Sequence, residues 1–326
     1  MTKNIIRWGI IGCGDVTEVK SGPAFNMAEN SKLVAVMRRN GRLAEDYAKR
    51  HGVPKWYDSA AQLINDPDVD AVYIATPPSS HKEYTLAAAE AKKPVYVEKP
   101  MAMNYAECQE MIEKCEAMQV PLFVAYYRRA LPKFLKIREI ISSGILGNIS
   151  SVEISFLKRP SEKDLHREYH WRIDPAVAGG GYFYDLASHQ IDILQFFLGE
   201  ITSAAGFTIN KSNLYKAEDV VSAAFKFSNN ISGSGTWNFN AWKDEDVTII
   251  IGDSGSVSFS IFGNDPITVE THSGKEDFLI ENPRHIQLPL IQKIVNELLG
   301  RDFSPSTGYS GSETNRVMDW VFNSMI

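Results

Sequence analysis

The first apolar segment of the chain ends in a glycine pair. Ile5-Ile6 and Ile10-Ile11 predict a buried strand, and Gly12-Cys13-Gly14 follows it directly. Such a turn can hold a pyrophosphate, because one glycine makes the tight turn and the next lets the backbone approach the phosphate oxygens. We therefore predict a dinucleotide site at this strand end, contacted by Gly12, Cys13, Gly14, Asp15 and Val16.

The helix after this turn departs from the usual dinucleotide-binding pattern. Thr17 occupies the place of the third glycine and is bulkier than the contact between helix and strand requires. Gly22-Pro23 interrupts the helical pattern, since a proline inside a helix removes a hydrogen bond and clashes with the preceding turn. We expect a short or broken first helix, with residues 15–20 close to the cofactor.

The order of predicted elements indicates two domains. Up to about residue 124, apolar strands alternate with helical patterns, which is typical of a doubly wound parallel sheet covered on both faces. Beyond about residue 150, segments such as 220–227 alternate between apolar and polar residues, which favours a mostly antiparallel sheet, and a helix over 182–198 interrupts the series. We predict an α/β protein with a Rossmann domain over 1–124 and an α+β domain with a large open sheet over 125–326.

Composition excludes several classes of protein. The 326 residues are 44% hydrophobic and carry a formal net charge of −6, so the chain has no basic surface for nucleic acid. No apolar run approaches the length of a membrane span, and the strand pattern begins too early for a signal peptide. The three cysteines have no paired spacing, which argues against disulfides or a zinc ribbon and favours a reducing, cytoplasmic setting.

Two groups of residues could carry proton transfer. Glu98-Lys99-Pro100 follows a predicted parallel strand, at the edge where such sheets place their ligands, and a lysine there can donate to a carbonyl oxygen. Asp185 and His189 lie four residues apart on the helix after Gly179-Gly180-Gly181, so they share a face, and a carboxylate can orient a histidine for acid–base work. The alternatives are a surface lysine in a turn and a polar stripe on an amphipathic helix.

A second histidine pair is a weaker candidate. His166 and His170 also lie four residues apart, but their order is not the His-Glu-x-x-His of a zinc protease. The neighbouring Arg167 and Arg172 disfavour a cation as well. We expect no metal, interpret His170 as a residue that faces substrate, and interpret Cys13 as a small packing residue rather than a nucleophile.

Several motifs occur together in the order of one known family, and they reach from Ile5 to about Trp320. They are Gly9-x-x-Gly12-Cys13-Gly14, Ala75-Thr76-Pro77 with His81, Glu98-Lys99-Pro100, and Gly179-Gly180-Gly181-x-x-x-Asp185-x-x-x-His189. With them the chain resembles the Gfo/Idh/MocA oxidoreductases, the family of glucose–fructose oxidoreductase and inositol dehydrogenase. The resemblance implies hydride transfer between a nicotinamide and the carbinol or carbonyl carbon of a sugar or polyol.

The resemblance also implies roles for individual residues. It makes Lys99 the group bonded to the reacting oxygen, His189 the acid/base histidine, and Asp185 the carboxylate that binds substrate and orients the site. The loop beside the cofactor ribose is matched by Thr76, Pro77 and His81, and we add Glu98 to the cofactor contacts. The residues matched to the arginine crossover segment and to the substrate pocket are Arg128, Arg129, Trp171 and Arg172.

The end of the second strand bears on the choice of cofactor. The dinucleotide pattern places an acidic residue there to hold the ribose 2′-hydroxyl. Here the strand over 33–37 ends in Arg38-Arg39-Asn40, and no carboxylate follows until Glu45. Because a guanidinium suits a phosphate, we predict that Arg38 and Arg39 favour NADP(H), with NAD(H) as the second cofactor. The alternative is that both arginines are solvated residues at a helix start.

We therefore predict a cytoplasmic, NADP(H)-dependent oxidoreductase that acts on a sugar, polyol or related hydroxy/keto compound. The alternatives are a dinucleotide-binding regulator or sensor without turnover, and a reductase of a non-sugar carbonyl or diene, as in the biliverdin reductase and dihydrodiol dehydrogenase relatives. Lys99, Asp185 and His189 argue against the regulator, whereas Arg172 and His170 favour a polyol over a planar apolar ligand. We expect a homodimer or homotetramer, because an open sheet with one exposed face pairs well with a second copy.

Overall fold

The computed structural model describes residues 4–324, which form two compact units. The first unit contains the chain up to Leu131 together with Pro283–Ser312, and the second contains Pro132–Asn282 and the chain from Glu313 onward. The expected second domain over 125–326 thus includes residues 283–312, which the structure groups with the first unit. No helix within 4–324 is long and apolar enough to cross a membrane.

The secondary structure comprises strands, α-helices and a few short turns of other helix types. The strands are β1 Ile6–Ile11, β2 Ser31–Met37, β3 Lys55–Tyr57, β4 Ala71–Ile74, β5 Val95–Val97, β6 Leu122–Val124, β7 Ile149–Leu157, β8 Ile201–Ile209, β9 Val220–Phe227, β10 Ser232–Asn238, β11 Glu245–Gly252, β12 Gly255–Phe259, β13 Ile267–Thr271 and β14 Gly274–Phe278. The α-helices are α1 Asp15–Val19, α2 Ala24–Met27, α3 Gly41–His51, α4 Ala60–Asn65, α5 His81–Glu90, α6 Tyr105–Met118, α7 Pro132–Ser142, α8 Glu162–Leu165, α9 Pro175–Ala178, α10 Ser188–Leu198, α11 Leu288–Leu298 and α12 Gly308–Phe322. The residues Phe183–Ala187 wind as a π-helix directly before α10.

The first unit is built on a six-stranded parallel sheet. Its strand order is β3-β2-β1-β4-β5-β6, and every pair of neighbours is parallel. The residues of β4, β5 and β6 are buried throughout, because helices cover both faces of the sheet. This confirms the predicted doubly wound sheet. The strand order reverses between β1 and β4, and ligands of such sheets bind at the carboxyl ends of the strands there.

The late segment that joins the first unit is tied to it by side-chain hydrogen bonds. Tyr96 Oη donates to Gln287 Oε1 at 2.8 Å, just before α11 begins. Gln292 on α11 accepts from the backbone N–H of Glu29 at 2.7 Å. Phe123 of β6 forms an isolated antiparallel bridge with Thr307. These contacts span more than half of the chain, so local sequence patterns do not reveal them.

The first helix is short, as predicted. It ends at Val19, and α2 begins afresh at Ala24. Thr17 is fully buried, and its hydroxyl donates to Gly14 O at 2.7 Å. A methyl group at Gly22 would lie 2.2 Å from Thr17 O, so the chain can turn here only at a glycine.

The second unit is built on an eight-stranded sheet of order β14-β13-β12-β11-β7-β10-β9-β8. Only β7 and β10 are parallel, which confirms the predicted mostly antiparallel sheet. The strands β7, β8 and β14 are additions to the sequence-based expectation. β14 has the sequence Gly-Lys-Glu-Asp-Phe and lies at the sheet edge, where charged residues discourage further strand pairing.

One face of this sheet packs against the helix that follows the triple glycine. Trp237 of β10 is fully buried, and its Nε1 donates to Gln190 Oε1 at 2.6 Å. The Phe183 ring meets the Trp237 ring edge to face, with centroids 5.0 Å apart. Phe183 and Gln190, which lie on either side of Asp185 and His189, therefore both attach this segment to Trp237 of the sheet.

Candidate functional site

The glycine turn of the first unit leaves backbone exposed to a ligand. Gly12 has a φ of +89°, and a methyl group there would lie 2.7 Å from Thr76 Cγ2 and 3.0 Å from the Ala75 carbonyl. At Gly14, by contrast, the nearest atom to an added methyl group is Gly12 O, 3.9 Å away. Gly12 must therefore be glycine because of its neighbours, while the backbone at Gly14 has room for a phosphate. This geometry fits the pyrophosphate of a dinucleotide.

The residues around this turn divide into packed and exposed ones. Cys13 is fully buried, and burial raises the pKa of its thiol to about 11, so it stays protonated near neutral pH. Its backbone N–H donates to Met37 O at 3.1 Å. Asp15 is exposed and Val16 is half-buried. Cys13 thus packs inside the turn, as interpreted from the sequence, while Asp15 and Val16 are accessible to solvent.

Two cationic side chains stand at the carboxyl end of β2. Arg38 and Arg39 are both exposed, and neither guanidinium makes a hydrogen bond or ion pair with any residue between 4 and 324. Arg38 acts electrostatically on the Cys13 thiol, which places its charge beside the glycine turn. Glu45, the first carboxylate beyond β2, pairs with Lys49 at 2.8 Å. The positive charge at this strand end is therefore available to an anion.

A buried carboxylate precedes Lys99. Glu98 is 7% exposed, and its Oε1 accepts from Tyr73 Oη at 2.5 Å and from Gln287 Nε2 at 2.6 Å. Its Oε2 accepts from the backbone N–H of Lys99 at 3.2 Å. Burial and the Glu98 charge raise the pKa of Tyr73 well above its ordinary value. Glu98, expected to contact the cofactor, is thus occupied by protein donors and fixes the backbone of the half-buried Lys99.

A second buried side chain joins the two loops of this sheet edge. His81 is fully buried, and its Nε2 lies 2.8 Å from Thr76 O. Its Nδ1 lies 3.1 Å from Pro100 O. Burial lowers the pKa of His81, and both ring nitrogens face carbonyl oxygens, since Nδ1 also lies 3.2 Å from Met101 O. His81 therefore holds the loop of Thr76-Pro77 against the residue that follows Lys99.

The arginine pair after β6 is buried rather than open to solvent. The Arg128 guanidinium lies 5.0 Å from the centre of the Tyr127 ring. Arg129 Nη1 donates to Pro305 O at 3.1 Å. Both arginines belong to the first unit, and the second of them helps to hold the late chain segment in place.

The π-helix of the second unit carries Asp185 together with a partner from the preceding loop. Arg172 Nε donates to Asp185 Oδ2 at 3.1 Å, and its guanidinium lies 4.4 Å from the Trp171 ring. The Asp185 side chain is 15% exposed and that of Arg172 is 40% exposed, so solvent reaches the pair. His189 is 3% exposed and meets the Phe262 ring edge to face at 5.8 Å. The sequence predicted an α-helix here, and π turns are frequent at functional sites.

A hydrogen-bonded cluster surrounds His170, and sequence reasoning missed two of its members. Asp164 is 1% exposed and lies 3.2 Å from His170 Nε2. Tyr182 Oη lies 3.0 Å from both Asp164 oxygens and 3.2 Å from His170 Nε2. Burial alone would raise the pKa of Asp164, but hydrogen bonds from Ser161, His170 and Tyr182 outweigh it and lower that pKa. A charged carboxylate therefore orients an imidazole and a phenol, both able to bind hydroxyl groups.

A buried glutamate that the sequence did not single out lies beneath the triple glycine. Glu218 Oε1 accepts from the backbone N–H of Gly181 at 2.8 Å. Burial raises the pKa of Glu218 to about 7, and hydrogen bonds from Gly181 and Phe183 oppose the shift. The signal that could have found it is the adjacent pair Glu218-Asp219 directly before an apolar strand, since buried carboxylates need donors.

The predicted substrate residues are divided between the two units. Lys99 and Arg128 belong to the first, whereas His170, Arg172 and the Asp185–His189 helix belong to the second. Within the second unit the structure joins Arg172 directly to Asp185. No group of three or more His, Cys, Asp or Glu side chains suited to a metal ion occurs among residues 4–324.

Comparison with known protein families covers most of the chain. Residues 6–126 match a family described as an oxidoreductase family with an NAD-binding Rossmann fold. Residues 134–258 match the GFO/IDH/MocA C-terminal domain. The two matches agree with the resemblance drawn from the motifs.

Curated proteins with similar sequences are named as oxidoreductases or dehydrogenases as well. Oxidoreductase P35 of Formosa agariphila is 44% identical over 316 residues, which cover 96% of this chain and 97% of that protein. Trans-1,2-dihydrobenzene-1,2-diol dehydrogenase of Bos taurus is 28% identical over 75% of this chain and 71% of its own length. Myo-inositol 2-dehydrogenase of Thermotoga maritima is 31% identical over 67% of this chain and 63% of its own length.

The raised pKa of Glu218 makes stability depend on pH. The unfolded chain ionises this group near its ordinary value of 4.5, whereas the folded protein keeps the proton up to about pH 7. The free energy of unfolding therefore falls between these pH values by up to roughly 3 kcal/mol, and Glu218→Gln should lack this fall. Chemical denaturation of both proteins at pH 4.5 and 8 measures the difference. Glu168→Gln, which removes an exposed carboxylate, is the control. If the free energies of unfolding of the wild type and Glu218→Gln differ by the same amount at both pH values, the raised pKa of Glu218 is contradicted.

Proposed function

Because this chain belongs to the Gfo/Idh/MocA family of oxidoreductases, we propose that it transfers hydride between a nicotinamide dinucleotide and a sugar, polyol or related hydroxy/keto substrate. The observation that carries the proposal is Lys99, held by Glu98 at the carboxyl edge of the NAD-binding sheet. Ligands of doubly wound sheets bind at this edge. A lysine fixed there can act on the oxygen of the carbon that reacts.

In this proposal, side chains of the protein transfer the proton and stabilise the charge that develops on the reacting oxygen. The cofactor, when bound on the glycine turn, supplies or accepts the hydride. The Lys99 ammonium donates a hydrogen bond to the reacting oxygen and stabilises the negative charge that develops on it during reduction. His189 supplies the proton, directly or through substrate or water, and Asp185 binds substrate and orients the site. Arg172 Nε, 3.1 Å from Asp185, favours the ionised form of this carboxylate.

The polar cluster supports a substrate rich in hydroxyl groups. His170 and Tyr182, both hydrogen-bonded to Asp164, provide an imidazole and a phenol, and Arg172, whose side chain is 40% exposed, adds a charged donor. The name of the myo-inositol dehydrogenase, with 31% identity, points to a polyol as well. A planar apolar diene has no hydroxyl groups with which these side chains could form hydrogen bonds. The dihydrodiol dehydrogenases remain the relatives that define the second candidate activity.

The three cysteines are buried and free, which suits a reducing compartment, and we place the protein in the cytoplasm on this ground.

A regulator that binds the dinucleotide without turnover is the alternative from another class. A single-turnover assay with bound cofactor and a panel of sugars and polyols separates it from an enzyme.

Replacement of Lys99 tests the catalytic assignment. Lys99→Met keeps the length of the side chain but removes its donor, so we expect turnover to fall roughly 10²–10⁴-fold while cofactor affinity stays nearly unchanged. Steady-state rates on the substrate that the wild type turns over fastest, with cofactor titrations, measure both. Lys32→Met, at an exposed position of β2, is the matched control. Turnover of Lys99→Met close to the wild-type rate would exclude the proposed role.

The cofactor preference is tested at the end of β2. Arg38 and Arg39 support NADP(H), because two exposed guanidinium groups that have no partner among residues 4–324 can bind a 2′-phosphate. We expect Arg38→Asp to weaken NADP(H) at least about tenfold more than NAD(H), which corresponds to about 1.4 kcal/mol. Arg39→Ala should add to the loss. Fluorescence titration with each cofactor measures these constants.

The matched control for this test is Arg42→Asp. Arg42 is exposed on α3, and its replacement changes the net charge by the same amount. The ratio of the two dissociation constants should stay at the wild-type value in this variant. Tighter binding of NAD(H) than of NADP(H) by the unmodified protein would refute the preference.

We further propose that a second copy of this chain covers the open face of the eight-stranded sheet, giving a homodimer that can pair into a homotetramer. One row across this face consists of Phe207, Ser222, Thr236, Ser155 and Val247. Eight strands about 4.8 Å apart and about 20 Å long span roughly 770 Å². A stable interface buries roughly 800 Å² on each partner, so the face has the required size.

Disruption of this face should change the oligomeric state. Phe207 is 59% exposed at the end of the row, and Phe207→Glu should shift the protein from dimer to monomer because it places an unpaired charge from each copy in the proposed interface. Light scattering coupled to gel filtration measures the mass. Phe303→Glu, at an 84% exposed phenylalanine of the first unit, is the control. A monomeric wild-type protein would contradict the proposal.

A further inference from the structure

Glu218 contacts the backbone at the start of the segment that carries Asp185 and His189. The glutamate is 8% exposed, and its Oε1 accepts from Gly181 N at 2.8 Å. Gly181 lies directly before this segment, where a backbone N–H has no partner within the helix itself. The carboxylate therefore fills the place that a capping side chain takes in an ordinary helix.

The close approach of Gly181 to Glu218 depends on the missing side chain. A methyl group at Gly181 would lie 2.6 Å from Ala217 Cβ and 3.0 Å from Glu218 Oε1. Any larger residue at this position would push the backbone away from the carboxylate. The third glycine of Gly179-Gly180-Gly181 is therefore explained by this contact.

The contact is transmitted along a stiff segment. Asp185 N donates to Gly181 O at 3.3 Å, so the π turn that contains Asp185 starts from the residue that Glu218 holds. Four residues later, His189 precedes Gln190, whose Oε1 is bonded to Trp237 at 2.6 Å. The segment is thus fixed at its start by Glu218 and at its middle by Trp237.

We propose that Glu218 is a positioning residue that sets the placement of Asp185 and His189 through the backbone of Gly181. The inference rests on the proposed function, since it assumes that these two side chains act on the substrate. A displacement of about 1 Å at a reacting group can cost on the order of 10²-fold in rate, so the loss of this anchor should be seen in turnover.

The adjacent carboxylate gives a matched comparison. Asp219 is fully buried and also accepts two backbone N–H groups, from Lys211 at 2.7 Å and from Ser212 at 2.6 Å. It therefore has the same chemistry and burial as Glu218 but holds the loop between β8 and β9. Asp219→Asn should affect that loop and leave the Asp185–His189 segment in place.

Kinetics and amide exchange test the proposal in the full chain. We expect Glu218→Ala to lower kcat about 10–100-fold, with KM for the preferred substrate changed less than about threefold. Hydrogen exchange at the Gly181 amide should be faster than in the wild type. Glu218→Gln, which keeps one acceptor oxygen, should show a smaller loss of kcat and serves as the test variant if Glu218→Ala does not fold.

A readout without turnover separates this proposal from the proposed function. The ring resonance of His189, identified by its loss in His189→Gln, should shift in labelled Glu218→Gln and stay in place in Asp219→Asn. If no sugar or polyol is turned over, the proposed function fails, and this resonance still decides whether Glu218 positions the helix. An unchanged resonance in folded Glu218→Gln, or an equal loss of kcat in Asp219→Asn, would overturn the inference.

Discussion

Buried carboxylates that accept backbone N–H groups are the interaction on which the candidate catalytic residues of both units depend. Glu98 holds the N–H of Lys99 at 3.2 Å, and Glu218 holds that of Gly181 at 2.8 Å. A carboxylate in a protein interior is stable only when donors surround it, so each imposes a fixed backbone geometry on its neighbours. The partly exposed side chains of Lys99 and Asp185 are therefore attached to backbone whose position these hydrogen bonds fix. The hydrogen bonds that position the chemistry also offset part of the cost of burying each carboxyl group.

The parallel sheet could be predicted from the sequence because its elements are local. Most strands of the first unit, among them β1, β2 and β4, are short apolar runs followed by a helical pattern, so the doubly wound arrangement needs no long-range information. The Gly12 turn and Lys99 could be placed for the same reason, since both follow a strand directly. The short length of α1 could also be predicted from Thr17 and from Gly22-Pro23, because proline and glycine act on the backbone within a few residues.

Other features depend on contacts between distant residues and leave no local pattern. Gln287 reaches Glu98 across 189 positions, and Gly181 reaches Glu218 across 37. The role of Asp164 is hidden for a similar reason, because Tyr182 lies 18 positions away. His81 is a further example: the motif suggests a ligand contact, whereas the fold encloses the ring between two loops. A polar residue in a sequence does not show whether its partner is a ligand or the protein.

The discontinuous first unit has a consequence for how the chain folds during synthesis. The ribosome releases β1 to β6 early, but Pro283–Ser312 emerges only after every strand of the second sheet. Until then Glu98 lacks the donor of Gln287, and the surface covered by α11 is open to solvent. The nucleotide-binding unit is therefore completed late, and a nascent chain carries an unfinished parallel sheet while the second unit is being made. A prematurely terminated chain would contain all six strands and still lack the segment that closes them.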